Sequence, residues 1–127
     1  MNSENTLDIL LVDDEPSVRK TVTGLLHLFG HRVWEAENGI QALEILAENR
    51  FDLIMTDIGM PHMDGLSFLN RIGEIPVNTP VIVVTGQQDL MVAQRALEAG
   101  AEAFMTKPIS LDDLKTALQE VMQRCAP

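Results

Sequence analysis

Leu53-Ile-Met-Thr-Asp57-Ile-Gly-Met-Pro61 is the stretch around which the rest of the chain is organised. Its first residues favour a buried β-strand, and this strand runs directly into a carboxylate. A loop rich in Gly, Met and Pro follows at once. A buried carboxylate costs free energy unless another group pairs with it or a function requires it, so Asp57 is the first candidate for a functional residue.

Further apolar runs of strand length flank this stretch, and helical patterns separate them. The predicted strands cover residues 8–12, 31–36, 51–57, 81–85 and 103–107. The predicted helices cover residues 16–29, 40–49, 65–72 and 89–99, and a last helix runs from the N-cap Ser110 through Met122. This alternation predicts an α/β domain with a parallel sheet and helices on both faces. It does not reveal the order of the strands.

Apolar residues at helical spacing mark the side of each helix that we expect to face the core. They are Val18, Val22, Leu25, Leu26 and Phe29 in the first helix, Ile40, Leu43, Leu46 and Ala47 in the second, Leu66, Leu69 and Ile72 in the third, Met91 or Val92 with Ala96 and Leu97 in the fourth, and Leu114, Leu118, Val121 and Met122 in the fifth. The second strand is less apolar than the others, so we expect it at an edge of the sheet.

Charge and hydropathy exclude two classes of function for this segment. Nine Lys and Arg face 19 Asp and Glu, a formal charge of −10. This balance argues against binding nucleic acid, which requires clustered positive charge. No apolar stretch approaches the roughly 20 residues of a membrane span. The N-terminus lacks the pattern of a signal peptide, and the single Cys125 cannot form an internal disulfide, so we expect a cytoplasmic protein.

The length of 127 residues fits one domain. We expect a flexible N-terminus at residues 1–6, the folded domain at 7–124, and a C-terminal end or the start of a linker at 125–127. The sequence leaves open whether an output domain follows Pro127.

Polar residues end four of the five predicted strands. They are Asp13 and Asp14 after the first strand, Asp57 at the end of the third, Thr85 at the end of the fourth and Lys107 at the end of the fifth. Ligands of open parallel sheets bind outside the carboxyl ends of the strands. Each residue alone has an ordinary explanation, such as a helix cap or a solvated lysine. Their placement at one edge predicts a single site.

Three neighbouring carboxylates repel one another, and a hard divalent cation such as Mg²⁺ relieves that repulsion. We expect Asp13, Asp14 and Asp57 to hold the metal, with the backbone carbonyl of Gly59 as a further ligand. Asp57 is then the nucleophile that becomes an aspartyl phosphate. Phosphoryl transfer depends mostly on positioning and charge neutralisation, to which the Lys107 ammonium and the Thr85 hydroxyl contribute.

These residues resemble the receiver domain of two-component response regulators, of the chemotaxis-regulator kind. The resemblance spans about residues 7–124 and is carried by Asp13-Asp14, Asp57 with Met60-Pro61 and Met63-Asp-Gly65, Thr85-Gly86, and Lys107-Pro108. It implies a three-layer, doubly wound, flavodoxin-like fold with strand order 2-1-3-4-5. It also implies a cis peptide between Lys107 and Pro108.

The same resemblance implies the partners and the switch. A sensor histidine kinase or phosphotransfer protein donates the phosphoryl group to Asp57, and the domain catalyses only its own phosphorylation and dephosphorylation. Thr85 then moves toward the phosphoryl group, and Phe104 swings inward behind it. The output is a change on the face of residues 89–124, which binds a downstream target or a second copy. Gly59 and Gln87 lie where family members tune phosphate lifetime, with no direction implied.

Three other functions are weighed against this one. An aspartyl phosphatase typically places a general acid two residues after its nucleophile, where this chain has Gly59. A degenerate receiver acting only as a scaffold would not need the intact set of acids, hydroxyl and lysine. A flavodoxin-like cofactor binder needs a phosphate-cradling loop after the first strand, where Asp13-Asp14-Glu15 would repel an anion.

Overall fold

The computed structural model describes residues 6–58, 65–73, 79–86 and 90–125. The strands are β1 (Asp8–Val12), β2 (Arg32–Ala36), β3 (Leu53–Asp57), β4 (Val81–Thr85) and β5 (Ala103–Thr106). The helices are α1 (Pro16–Leu28), α2 (Gly39–Glu48), α3 (Gly65–Gly73), α4 (Leu90–Glu98) and α5 (Leu111–Cys125). Among the helices of the described residues, none combines the length and the apolar character needed to span a membrane.

The strands form one parallel sheet in the order β2-β1-β3-β4-β5, which confirms the predicted topology and the edge position of β2. Every residue of β3 and β4 is buried, whereas β2 is mostly exposed or half-buried. The register pairs Val12 with Ala36 and Thr56, Asp57 with Val84, and Thr85 with Thr106. The carboxyl ends of the strands therefore lie side by side.

The sheet separates two apolar cores, which confirms the three-layer architecture. One core includes residues of α2, α3 and α4, such as Leu46, Phe68 and Ala96. The other includes residues of α1 and α5, such as Leu26 and Leu114. Helices on both faces explain why the central strands are continuously apolar, since each of their faces contacts a helix layer.

The helix ends follow the local sequence signals. Gly30 and Gly100 adopt φ values of 93° and 116° after α1 and α4, a region that favours glycine. The side chain of Asn38 caps α2 by accepting a hydrogen bond from the amide of Gln41 at 2.8 Å. The Ser110 hydroxyl accepts one from the amide of Asp113 at 3.3 Å, as predicted for α5.

The core-facing side of α2 agrees with the prediction at Leu43 and Leu46 and differs from it elsewhere. Ile40 is 48% exposed and Ala47 is also exposed, whereas Ala42 and Leu46 are buried. The cap at Asn38 starts the helix at Gly39, and the small Ala42 lies at its contact with the core, so the helix is rotated away from Ile40. Spacing alone could not distinguish these two stripes.

In α3 and α4 the core positions were also only partly predicted. Phe68 is fully buried beside Ile72 in the core, although the predicted stripe omitted it; the side chains of Leu66 and Leu69 lie outside the described part of the structure. In α4 the predicted core residue Ala96 is fully buried, whereas Leu97 is 38% exposed and Met91, one of two alternatives in the prediction, is 73% exposed. The side chain of Val92, the other alternative, lies outside the described part of the structure. A small residue at the contact allows close packing and leaves the larger side chains outside.

His31 connects the start of β1 to the end of α1. Its ring is buried, and its Nδ1 accepts a hydrogen bond from the amide of Leu7 at 3.0 Å. Burial lowers the pKa of His31 below its usual value, because the imidazolium loses hydration. An Nδ1 that accepts a hydrogen bond must also be unprotonated, so the folded state requires the neutral ring.

This requirement predicts that the protein loses stability in mild acid. Since the folded pKa lies below the unfolded value of about 6.5, the contribution of His31 is present above that value and declines as the pH falls through it. His31→Asn keeps an acceptor near Nδ1 without titrating. The difference in unfolding free energy between wild type and this variant, measured by urea denaturation, should shrink from pH 7.5 to pH 5. His27→Asn, at an exposed position of α1, is the control, and an equal pH dependence in all three proteins would contradict the prediction.

Candidate functional site

Four acidic side chains meet where β1 and β3 end. Asp13, Asp14 and Glu15 follow β1, and Asp57 is the last residue of β3. One carboxylate oxygen from each of the four lies within 4.8 Å of the others. Asp13 and Asp57 are only 4% and 8% exposed, whereas Asp14 is half-buried and Glu15 is exposed. The cluster therefore extends from the buried sheet to the surface.

Asp13 is held in place by backbone contacts on both sides. Its amide donates to the carbonyl of Ala36 at 3.1 Å and extends the pairing of β1 with β2 by one residue. Its Oδ1 accepts a hydrogen bond from the amide of Glu15 at 2.9 Å. Its Oδ2 lies 3.6 Å from the Nζ of Lys107. Oδ1 of Asp13 thus stabilises the loop after β1, and Oδ2 faces Lys107 in the site.

Lys107 reaches the acidic cluster from the end of β5. Its Nζ lies 3.3 Å from Oδ2 of Asp57 and 3.3 Å from Oε1 of Glu15. Its amide donates to the carbonyl of Thr85 at 2.7 Å, which fixes the start of the loop against β4. The Lys107–Pro108 peptide is cis, as the sequence resemblance implies.

Burial and neighbouring charges shift the pKa values of two groups in the site. Burial is the main cause that raises the pKa of Asp13, and Asp57 and Asp14 raise it further, although the Glu15 amide and Lys107 oppose the change. Burial would lower the pKa of Lys107, but the charges of Asp57 and Asp13 and hydrogen bonds to Glu15 and Asp57 outweigh it and raise the pKa. The ammonium therefore stays protonated, and it does not offset the cost of ionising Asp13.

Thr85 and Phe104 occupy the positions that the sequence assigns to a switch. Thr85 is fully buried at the end of β4, and its hydroxyl donates to the carbonyl of Gly86 at 3.3 Å. Phe104 is 37% exposed on β5, which pairs with β4. Its ring is thus not a fully buried core residue, despite the usual preference of phenylalanine.

The structure brings together the predicted residues Asp13, Asp14, Asp57 and Lys107, with Thr85 at the same edge of the sheet. Gly59 and Gln87, which the sequence places beside them, lie outside the described residues. Sequence reasoning did not assign Glu15 to the site, although its carboxylate is within reach of both the acids and Lys107. Its position directly after Asp14, in the loop that leaves β1, is the signal that could have indicated it.

The donor set suits a hard divalent cation. Asp13, Asp14, Glu15 and Asp57 offer only carboxylate oxygens, the ligands that Mg²⁺ and Ca²⁺ prefer. The pKa of Asp13 is raised mainly by burial and further by the neighbouring acids, and a bound cation would favour its ionised form. These residues therefore fit a metal of this class by charge and by donor type.

Comparison with known proteins agrees with this geometry. The family model for the response regulator receiver domain matches residues 9–119. A crystal structure of a response regulator receiver domain protein from Clostridium thermocellum superimposes with a TM-score of 0.87 at 33% identity and covers 92% of this chain and 94% of its own.

Two curated relatives are much longer proteins. The sensor histidine kinase RcsC of Salmonella typhi is 34% identical over 123 residues, which are 97% of this chain and 13% of RcsC. The transcriptional regulatory protein ZraR of Klebsiella oxytoca is 38% identical over 120 residues, which are 94% of this chain and 27% of ZraR. The match therefore concerns one domain of each relative. By family match, fold and similarity to a solved receiver domain, the chain belongs to the response regulator receiver domain family.

Proposed function

We propose that this domain accepts a phosphoryl group on Asp57 from the phosphohistidine of a sensor histidine kinase or a phosphotransfer protein. The observation that carries the proposal is the placement of Asp57 at the carboxyl end of β3, with its Oδ2 at 3.3 Å from the Lys107 ammonium and among three other acids. A carboxylate in this position has both a neighbouring cation and an approach from the edge of the sheet.

Each residue of the site has a separate role in the proposed phosphoryl transfer. A carboxylate oxygen of Asp57 attacks phosphorus, the P–N bond of the donor breaks, and its electron pair and a proton from solvent go to the histidine. The Lys107 ammonium partly neutralises the negative charge on the phosphoryl oxygens. Asp13, Asp14 and Asp57, with the carbonyl of Gly59, are the proposed ligands of Mg²⁺, which when bound neutralises further charge on those oxygens.

The proposed activity is limited to the domain's own phosphorylation and dephosphorylation, so it is not an enzyme acting on external substrates. Gly59 stands where an aspartyl phosphatase has its general acid. The proposal places the receiver domain at residues 7–124, between an N-terminal segment (1–6) and a C-terminal end or linker (125–127). A histidine kinase donor also implies a cytoplasmic location.

The proposed output surface is the face of residues 89–124, which includes α4, β5 and α5. Four large apolar residues on these elements are exposed: Met91 at 73%, Leu111 at 48%, Leu97 at 38% and Phe104 at 37%. Exposed apolar side chains on these elements support binding of a downstream target or a second copy. In the proposed switch, the Thr85 hydroxyl leaves the Gly86 carbonyl for a phosphoryl oxygen, and Phe104 packs into the space behind it.

Incubation with Mg²⁺ and acetyl phosphate should add one phosphoryl group to the wild-type chain, as read by intact mass. Asp57→Asn should abolish the addition because the amide is not a nucleophile of this kind. Asp52→Asn is the matched control, since Asp52 lies beside the opposite end of the same strand and accepts a hydrogen bond from the amide of Asp8. Equal modification of Asp57→Asn, or modification that persists in excess chelator, would contradict the proposal.

The charge balance predicts opposite effects of two substitutions on the metal-free protein. Asp13→Asn should raise Tm by about 2–5 °C, because the folded state disfavours the Asp13 charge and asparagine retains the Oδ1 acceptor. Lys107→Met should lower Tm because it removes a cation from the cluster. Glu120→Gln, an exposed change of the same charge on α5, is the control for Asp13→Asn.

Added Mg²⁺ should reverse the ranking of wild type and Asp13→Asn. At about 100 times its Kd the ion would stabilise the wild type by about 2.7 kcal/mol, and it would stabilise Asp13→Asn less because a ligand has been lost. Calorimetric melting curves with Mg²⁺ and with chelator measure both effects. Equal stabilisation of the two proteins would remove Asp13 from the proposed metal site.

The proposed switch predicts that phosphorylation and its readout can be separated. Thr85→Ala and Phe104→Ala should still be phosphorylated, but amide chemical shifts of α4 and β5 should change less on phosphorylation than in the wild type. Thr85→Ser keeps the hydroxyl and should behave like the wild type. Phe104→Ala should also weaken discrimination between the two states by a partner. Unchanged shift differences in Phe104→Ala would contradict coupling through its ring.

A further inference from the structure

Arg19 contacts the loop that carries the acidic cluster, although it lies outside the cluster itself. It is a residue of α1, and its side chain is only 17% exposed. Its Nη1 donates to the backbone carbonyl of Asp13 at 2.6 Å. Its own amide donates to the carbonyl of Glu15 at 2.9 Å. The amide bond to Glu15 belongs to the main chain of α1, so the arginine side chain itself restrains the backbone at Asp13.

These contacts complete the restraint of Asp13. Its amide bonds to Ala36, its carbonyl to Arg19, and its Oδ1 to the amide of Glu15. With the backbone held on both sides and one carboxylate oxygen engaged, the position of Oδ2 is set. This oxygen faces Lys107 at 3.6 Å, and the same ammonium contacts Asp57, the other buried acid of the cluster. Partners of this kind, one step removed from a ligand, orient it and tune affinity for the metal.

Glu35 on β2 orients Arg19 in turn. The Nε of Arg19 donates to Oε1 of Glu35 at 2.9 Å, while its Nη1 donates to the backbone carbonyl of Asp13. The planar guanidinium presents these donors in a fixed geometry, which the single ammonium of lysine cannot reproduce. The Glu35 side chain is 41% exposed, so the ion pair by itself contributes little to stability. The contact with Glu35 instead fixes the orientation of the Arg19 guanidinium.

We propose that Arg19 is a positioning residue for the metal site, which holds Asp13 in the geometry that binds the cation, with Glu35 as its support. The inference rests on the proposed Mg²⁺-dependent function and names residues outside the ligand set. It predicts that loss of Arg19 weakens metal binding without impairing phosphoryl transfer once the metal is saturating.

The chain offers a matched control in Arg32. This arginine lies on β2, near the opposite end of the sheet, and its Nε pairs with Oδ1 of Asp8 at 2.6 Å. Arg32→Gln therefore removes the same charge and also disrupts an exposed ion pair next to β1. A difference in Mg²⁺ affinity between Arg19→Gln and Arg32→Gln would therefore come from the lost contact with Asp13 and not from the change in net charge.

The test is a calorimetric titration of Mg²⁺ into the unphosphorylated protein. Arg19→Gln should raise the Kd about tenfold, and Arg19→Lys should restore part of this loss because its ammonium can still donate one hydrogen bond to the Asp13 carbonyl. Glu35→Gln should raise the Kd by about two- to fivefold. Arg32→Gln should stay within about twofold of the wild type. Amide hydrogen exchange should show faster exchange at Glu15 in Arg19→Gln.

Phosphorylation by acetyl phosphate at increasing Mg²⁺ gives the second readout. In Arg19→Gln the half-saturating Mg²⁺ concentration should rise as the Kd does, while the rate at saturation stays at the wild-type level. A Kd equal to that of Arg32→Gln, or a lower saturated rate with an unchanged half-saturating concentration, overturns the inference. If Arg19→Gln does not fold, the Mg²⁺ Kd and the half-saturating Mg²⁺ concentration of Glu35→Gln test the inference by the same criteria. A wild type that binds no Mg²⁺ overturns the proposed metal site as well, whereas normal wild-type binding with no effect of Arg19 overturns this inference alone.

Discussion

The repulsion among carboxylates at one edge of the sheet is the constraint on which the site depends. Asp13, Asp14, Glu15 and Asp57 bring their oxygens within 4.8 Å of one another, and two of these acids are buried. Lys107 contacts the cluster, but the pKa of Asp13 remains raised, mainly by burial. Ionised Asp13 is therefore disfavoured in the folded protein, first by burial and then by the neighbouring acids. A site built in this way gains the most from a ligand that brings positive charge, which is the physical basis for coupling metal binding to phosphoryl chemistry.

The parallel sheet brings these groups together. Strands that run in one direction place all their carboxyl ends at one edge, and the register aligns the last residues of neighbouring strands. Three loops then extend the alignment: the amide of Asp13 bonds to Ala36, that of Ile58 to Val84, and that of Lys107 to Thr85. The backbone of the site is thus a continuation of the sheet. Side chains mounted this way are held by rigid elements, as phosphoryl transfer requires.

Groups outside the cluster also contact the loop that carries it. Arg19 reaches the carbonyl of Asp13 from α1, and Glu35 holds Arg19 from the exposed edge strand. The site is therefore connected to β2 on one side and, through Thr85, to β4 and β5 on the other. The exposed apolar residues of α4, β5 and α5 lie on that second side. A domain arranged in this way can hold its ligands from one flank and transmit a change through the other.

The sequence by itself determined the element types, the three-layer α/β class and the strand-end residues, because hydrophobic periodicity and polar strand ends are local signals. The order of the strands came from resemblance to a family and not from the residues. Only the tertiary structure decided which stripe of a helix is buried. Ala42 and Phe68, which the spacing did not select, are in the core, while Ile40 and Leu97, which it did select, are exposed. Packing against a particular neighbour depends on shape and not on hydrophobicity alone. Likewise, Asp57 and Lys107 are recognisable in the sequence as strand-end residues. The contacts of Lys107 with Glu15 and of Arg19 with the Asp13 carbonyl are not, because they depend on how the folded chain positions these groups in space.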